Sequence, residues 1–208
     1  MKFSSHTVEL AVNEFARLPG VGKKTALRLV LHLLKQPEEN LQRIGNSIID
    51  LYQKVKYCMT CHNVSDNEIC TICNDPHRRK NVICIVESIR DVMAIEATQQ
   101  YSGLYHILGG VISPLDGIGP DQLNIDSLLN RISISSTEEL ILALSPTLEG
   151  DTTIYYLQKK IEPLGIKITT LSRGVAFGGE LEYADEITLG RSIQNRLPLS
   201  IFSTKINL

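Results

Sequence analysis

The chain has 208 residues, 43% of them hydrophobic and 21% charged, with a formal net charge of −2 at pH 7. That composition suits a globular protein with a real core and excludes a global basic field, so any nucleic-acid contact must come from a local cluster. No apolar run approaches the roughly 20 residues of a membrane span, and MKFSSHTVEL lacks the apolar core of a secretory signal. The expected setting is therefore cytoplasmic, where five cysteines read as thiols or metal ligands rather than disulfides.

The first recognisable element is a helix carrying Val8, Val12, Phe15 and Leu18 on one side. It runs into LPGVGKKTALRLVLHLL, Leu18 to Leu34. Pro19 restricts its own φ, and Gly20 and Gly22 allow backbone shapes closed to other residues. From Lys23 the pattern is helical again, with Leu27, Val30, Leu31 and Leu34 forming one apolar face. Lys24, Arg28, His32 and Lys35 fall on another side. A phosphate loop of the Walker type is excluded: Arg17 stands where its first glycine belongs, and Lys24 where Ser or Thr is needed. A third helix is expected over 37–56, with Leu41, Ile44, Ile48 and Leu51 on one face.

Next comes Cys58-Met-Thr-Cys61 followed by Cys70-Thr-Ile-Cys73, a CxxC-x8-CxxC pattern. Each pair is a tight knuckle aiming two thiolates at one point, and two knuckles complete a tetrahedron around a structural Zn²⁺. The intervening HNVSDNE is too polar to fold on a core of its own, so metal binding supplies the ordering. Cys58 to His62 also spells a haem-attachment pattern, but that chemistry belongs to exported proteins. A redox pair would not be expected twice in so short a span. With four cysteines present, His62 and His77 read as surface histidines, and Cys84, inside VICIVE, as inert core.

Beyond residue 78 short apolar strands alternate with helices: VICIVE, SIRDVMAIEAT, YHILGG, a helix over 124–132, ELILAL, a helix over 152–161, and IKITTL. This alternation implies βα units and a mostly parallel sheet. A glycine-rich loop and a helix close the chain. Glu87 ends the first strand at the carboxyl edge, where open sheets place their sites. Two readings stand side by side. Ser88 and Asp91 form an S-x-x-D helix start, or Glu87 and Asp91 form an acidic site for a metal or a partner.

Taken together, LPGVGKKTA, the four-cysteine loop, ICIVES with Asp91, SPLDGIGPD, SPTLEGDTT and GVAFGGELEYADEITL resemble the bacterial RecR family of recombination mediators, over residues 8–196. The resemblance implies an α/β protein of several parts: a helix-hairpin-helix region over 1–56, a four-cysteine zinc finger over 57–78, a Toprim domain over 79–175 and a C-terminal segment over 176–208. It also implies a ring-like homo-oligomer that binds DNA without reading sequence, and partnership with RecO and RecF in loading RecA at gaps and breaks. Gly20, Gly22, Lys23, Lys24 and Arg28 would then meet DNA phosphates, although Lys23 stands where relatives often have proline. The same residues would also serve a plain helical hairpin with a solvated charged side.

Toprim enzymes resemble one another in a strand-end glutamate and a later DxD that together hold Mg²⁺. Here Glu87 is present, but Ser145-Pro146-Thr147 follows ELILAL, and Glu149 and Asp151 have the wrong spacing. The expectation is a Toprim fold without catalysis; the alternatives are a Mg²⁺-dependent topoisomerase-like or primase-like enzyme and a zinc-stabilised adaptor that binds only proteins. Two departures from the family pattern are Ala176, where proline is usual, and the extension Leu197–Leu208.

Overall fold

A computed structural model of the chain describes residues 4–175, 178 and 180–196; Ala176 and the extension Leu197–Leu208 lie outside the described residues. The chain divides into two compact units, Met1–Val55 and Lys56–Leu208.

The first unit is helical: α1 (His6–Phe15), α2 (Lys23–Leu33) and α3 (Glu38–Lys54). Ser5 caps α1, its hydroxyl accepting from the Val8 amide, and so satisfies one of the orphan donors of a helix start. Helices α1 and α2 pack through Val12, Ala26 and Val30, with Val8, Phe15, Val21 and Leu27 around them. The buried stripe of α2 is therefore Ala26–Val30. This corrects the apolar face expected from spacing: Leu31 and Leu34 are exposed, at 47% and 60%. The physical reason is that α1 packs on the side of α2 that carries Ala26 and Val30, which leaves Leu31 and Leu34 uncovered. Helix α3 has the expected amphipathic pattern but buries none of its residues.

In the second unit, β1 (Lys56–Tyr57) and β2 (Val64–Ser65) form a small antiparallel pair, and α4 (Thr71–Asn74) closes the cysteine loop. Then follow β3 (Arg79–Val86), α5 (Ile89–Ala97), β4 (Gly103–Ile107), α6 (Ile125–Ile134), β5 (Glu139–Leu142), α7 (Leu148–Ile161), β6 (Lys167–Thr170) and α8 (Glu186–Gln194). The four long strands make one parallel sheet in the order β4-β3-β5-β6. Alternate residues of β3 feed two cores. Ile83 and Ile85 pack with Leu128, Leu142 and Leu157 on one face, while Cys84 and Val86 pack with Val92 and Tyr105 on the other. A sheet covered on both faces explains why its inner strands read as unbroken apolar runs.

Helix α7 starts at Leu148, four residues before the expected start. The hydroxyl of Thr147 accepts from the Gly150 amide at 3.1 Å, and Glu149 and Asp151 occupy the first turn, where carboxylates favour the helix dipole. The phrase SPTLEGDTT is thus a helix start. Its Gly150 is required by space, since a Cβ there would lie 2.0 Å from the Ser145 carbonyl oxygen.

Candidate nucleic-acid interface and metal centre

The hairpin between α1 and α2 is built by backbone geometry. Gly20 has φ +76, the left-handed region that other residues enter at a cost. The turn is closed by the Val21 amide donating to the Leu18 carbonyl at 3.1 Å. Gly22 is the N-cap of α2 and has no side chain to offer the helix. The first amides of α2, on Lys23, Lys24 and Thr25, consequently lack both an intrahelical acceptor and a side-chain cap. Gly20, Gly22, Lys23, Lys24 and Arg28 are all exposed. Among the described residues, Lys23, Lys24 and Arg28 enter no ion pair, whereas Arg17 is held by Glu14 at 3.1 Å. Among the described residues a Cβ on Gly22 would meet nothing within 4 Å, so no packing between them calls for glycine there. The space is available to something outside.

The metal centre is compact. The sulfur atoms of Cys58, Cys61, Cys70 and Cys73 all lie within 4.8 Å of one another, with Cys61 and Cys70 3.6 Å apart. Tetrahedral Zn–S bonds of about 2.3 Å place sulfurs roughly 3.8 Å apart, so the donor set fits Zn²⁺. All five cysteines are free of disulfides. Burial pushes the Cys58 thiol up, but amides of Cys70, Thr60 and Cys61 donate to its sulfur and bring it down to about 7. The Cys61 thiol is driven far up, first by its hydrogen bond with Cys73 and then by burial. Cys70 is raised to about 11, chiefly by burial. Without a cation the thiols of Cys61 and Cys70 keep their protons; a structural zinc held by these four cysteines displaces them and lets all four bind as thiolates. Protein fills every position of the tetrahedron.

The knuckle is seated on the Toprim-type sheet. The Ile107 amide at the end of β4 donates to the Cys61 carbonyl at 2.9 Å. Arg131 of α6 donates to the carbonyls of Thr60 at 3.3 Å and Tyr105 at 2.7 Å. His62 is half-buried rather than the surface histidine that the sequence suggests: its Nε2 lies 2.8 Å from the Ser127 hydroxyl, and its ring meets His106 edge-on at 5.2 Å. This corrects the expectation; the His62 backbone has a left-handed φ of 62°. His77 is exposed, as expected, beside Asp75. Cys84 lies buried in β3 with its thiol raised to about 12 by burial. Sequence reasoning missed a further network: Arg78, just before β3, forms a paired ion bridge with Glu96 of α5, and the Tyr105 hydroxyl donates to the same carboxylate at 2.7 Å.

At the carboxyl edge of the sheet Glu87, Asp91 and Asp151 each have a local partner. The Asp91 carboxylate accepts from the Ser88 amide at 2.7 Å and the Ser88 hydroxyl at 3.0 Å, which is the helix-start arrangement of S-x-x-D. Glu87 accepts from the Ser145 amide at 2.5 Å. It therefore sits where the strand order reverses, facing the segment that follows β5. Asp151 is engaged by Arg173 at 2.6 Å and Arg191 at 3.5 Å. Among the described residues, the four cysteines are the only cluster of three or more His, Cys, Asp or Glu with metal-binding geometry.

An exposed glycine hairpin between two helices, a four-sulfur knuckle and a parallel Toprim-type sheet define a multi-part protein with a zinc finger and a helix-hairpin-helix. Comparison with known families agrees part by part. The RecR helix-hairpin-helix matches residues 8–51, the RecR four-cysteine zinc finger domain 55–75, the Toprim domain 81–172 and the RecR C-terminal segment 174–197. The chain is 57% identical over 199 residues to "Recombination protein RecR" of Porphyromonas gingivalis, covering 96% of each. It is 58% identical over 195 residues to that of Bacteroides thetaiotaomicron, covering 94% of this chain and 95% of the relative. With that of Cytophaga hutchinsonii it shares 55% identity over 207 residues, 99% of each. The chain belongs to the RecR family of recombination proteins.

Proposed function

We propose that this protein is a DNA-binding mediator of recombinational repair that carries out no bond chemistry itself. In this reading its hairpin holds DNA phosphates without reading sequence, and it acts with RecO and RecF to promote RecA loading at gaps and breaks. One observation carries the DNA contact: an exposed glycine bend with uncapped amides at the head of α2, flanked by Lys23, Lys24 and Arg28, which among the described residues enter no ion pair. Amides at a helix start favour a phosphate oxygen, and flanking cations hold its neighbours. Such contacts set position and carry no base information.

The non-catalytic part of the reading rests on the Toprim corner. Glu87 remains, but Ser145, Pro146 and Thr147 stand where a second and third carboxylate would be needed to organise a pair of magnesium ions. Glu87 bonds the Ser145 amide, which suits a carboxylate that shapes a surface. With Asp91 it is assigned to a partner-facing edge. The protein works as a ring-like homo-oligomer, for which the exposed apolar face of α3 offers a surface.

The test is the double change Lys24→Glu, Arg28→Glu. Binding to a short oligonucleotide should be lost, with zinc content and far-ultraviolet circular dichroism unchanged. A double variant that binds as tightly as the parent would remove the hairpin from the interface. Nicking or primer synthesis dependent on Mg²⁺ and lost in Glu87→Gln would overturn the non-catalytic reading.

A further inference from the structure

We infer that the free edge of β6 is a docking site for the end of the same chain, with residues 201–206 laid antiparallel along it as a fifth strand of the sheet.

The strand order β4-β3-β5-β6 leaves two edges. The zinc knuckle covers β4, through the Ile107 amide on the Cys61 carbonyl. Among the described residues β6 pairs with β5 alone. The Lys167 amide donates to the Glu138 carbonyl at 3.1 Å, and along a paired strand alternate residues turn their backbone groups to opposite sides. Thr169 therefore also faces β5, while Ile168 and Thr170 turn N–H and C=O outward. Native sheets pair, cover or guard such an edge. Lys167 is the charge that could guard it, but that side chain is drawn inward onto Glu139 of β5 at 3.4 Å. Ile166 and Ile168 pack against the core and are only partly buried, so a strand beside them would complete their cover.

The segment 197–208 reads LPLSIFSTKINL. Six of its twelve residues are Leu, Ile or Phe and only Lys205 is charged, a composition unsuited to a solvated tail. Ile201, Phe202, Thr204 and Ile206 favour a strand. Phe202, Thr204 and Ile206 alternate with Ser203 and Lys205, the pattern of a half-buried strand. Laid beside β6, the first set continues the face of Ile166 and Ile168, and the second the polar face of Lys167 and Thr169.

Placement favours the chain's own end. Ile187, Thr188 and Arg191 of α8 line one cavity with Thr170 and Leu171 at the carboxyl end of β6, and Arg191 is held there by Asp151 at 3.5 Å. Asn195, the C-cap of α8, lies about 6 Å further along the helix axis. The chain thus leaves the described residues near the carboxyl end of β6 and runs back along it, which makes the added strand antiparallel. Such an edge strand is common on parallel sheets. Four residues of β6 span about 13 Å, and twelve extended residues reach about 40 Å. So short a tether holds the segment at an effective concentration on the order of millimolar, against which a second copy must compete.

The test is residue-resolved hydrogen exchange on the parent, on a chain ending at Arg196, and on the full chain with Phe202→Pro and Ser203→Pro. Two consecutive prolines remove one amide on each side of a strand, so the ladder is cut in any register. The Ile168 and Thr170 amides should exchange at least about tenfold more slowly in the parent than in either variant. Thr169, bonded to β5, should stay protected in all three. The proline variant decides alone should the shortened chain lose Thr169 protection as well. Free exchange at Ile168 and Thr170 in the parent overturns the inference. Protection that survives both changes also overturns it, because something else then covers the edge. Protection restored to the shortened chain by adding the parent assigns the edge to a second copy and overturns the same-chain strand.

Discussion

Gly20 and Gly22 stand two residues apart and are glycine for different reasons. Gly20 has a left-handed φ, so Gly20→Ala should cost about 1 kcal/mol of stability through the turn itself. Gly22 has an ordinary extended backbone, φ −77 and ψ 161, and open space around its Cα. Gly22→Ala should leave the melting temperature within a degree or two of the parent but weaken DNA binding severalfold, read by anisotropy. Equal affinity would mean that no ligand backbone approaches that amide. His106 is a separate case. Burial holds its imidazole down to about 4, with Arg131 reinforcing and the Asn124 carbonyl opposing. The unfolded ring titrates near 6.5, so between about pH 6.5 and 4 the unfolded state binds more protons. Stability is full above that window and falls as pH drops through it, by up to about 3 kcal/mol. Melting with zinc in excess should show this acid limb flattened in His106→Gln; parallel limbs would exclude His106 as its source.

The zinc knuckle and the edge strand β4 explain each other. Every residue of β4 is buried, which is unusual for the outermost strand of a sheet, where unpaired backbone invites aggregation. Here the edge is covered. The Cys61 carbonyl takes the Ile107 amide, Arg131 ties Thr60 to Tyr105, and Ile72 of α4 packs into the core on that face. Removing the metal should therefore uncover a β-edge as well as a loop. Chelation, or Cys73→Ser, should lower the melting temperature of the whole Lys56–Leu208 unit in one transition and raise its tendency to aggregate. A separate low-temperature transition confined to the knuckle would show that the two elements are not coupled.

Considered as a whole, the chain places its polar chemistry and its apolar excess on different elements. In α3, Leu41, Ile44, Ile48 and Leu51 recur at helical spacing, yet all are exposed, Ile48 at 58% and Leu51 at 65%. Scattered leucines are ordinary on a surface; a continuous stripe on one helix marks a contact. If the proposed homo-oligomer uses this stripe, Ile44→Asp with Ile48→Asp should leave helix content unchanged and lower the solution mass measured by light scattering. A mass equal to that of the parent would move the interface elsewhere.

Much of this was legible in the order of residues because its causes are local. Tight turns need glycine at particular φ, metal knuckles need paired cysteines at short spacing, and buried parallel strands need unbroken apolar runs; each leaves a signature within a short stretch of chain. The S-x-x-D start of α5 was readable for the same reason, and the Ser88 amide and hydroxyl both donate to Asp91. The rest depends on residues far apart in the chain. His62 became a docking group through Ser127 and His106, Arg78 found Glu96 across 18 positions, and the seam of α2 fell on Ala26 and Val30 because α1 packs on that side. Periodicity reports which faces are apolar, but burial is set by whichever neighbour arrives, and that neighbour is specified elsewhere in the chain.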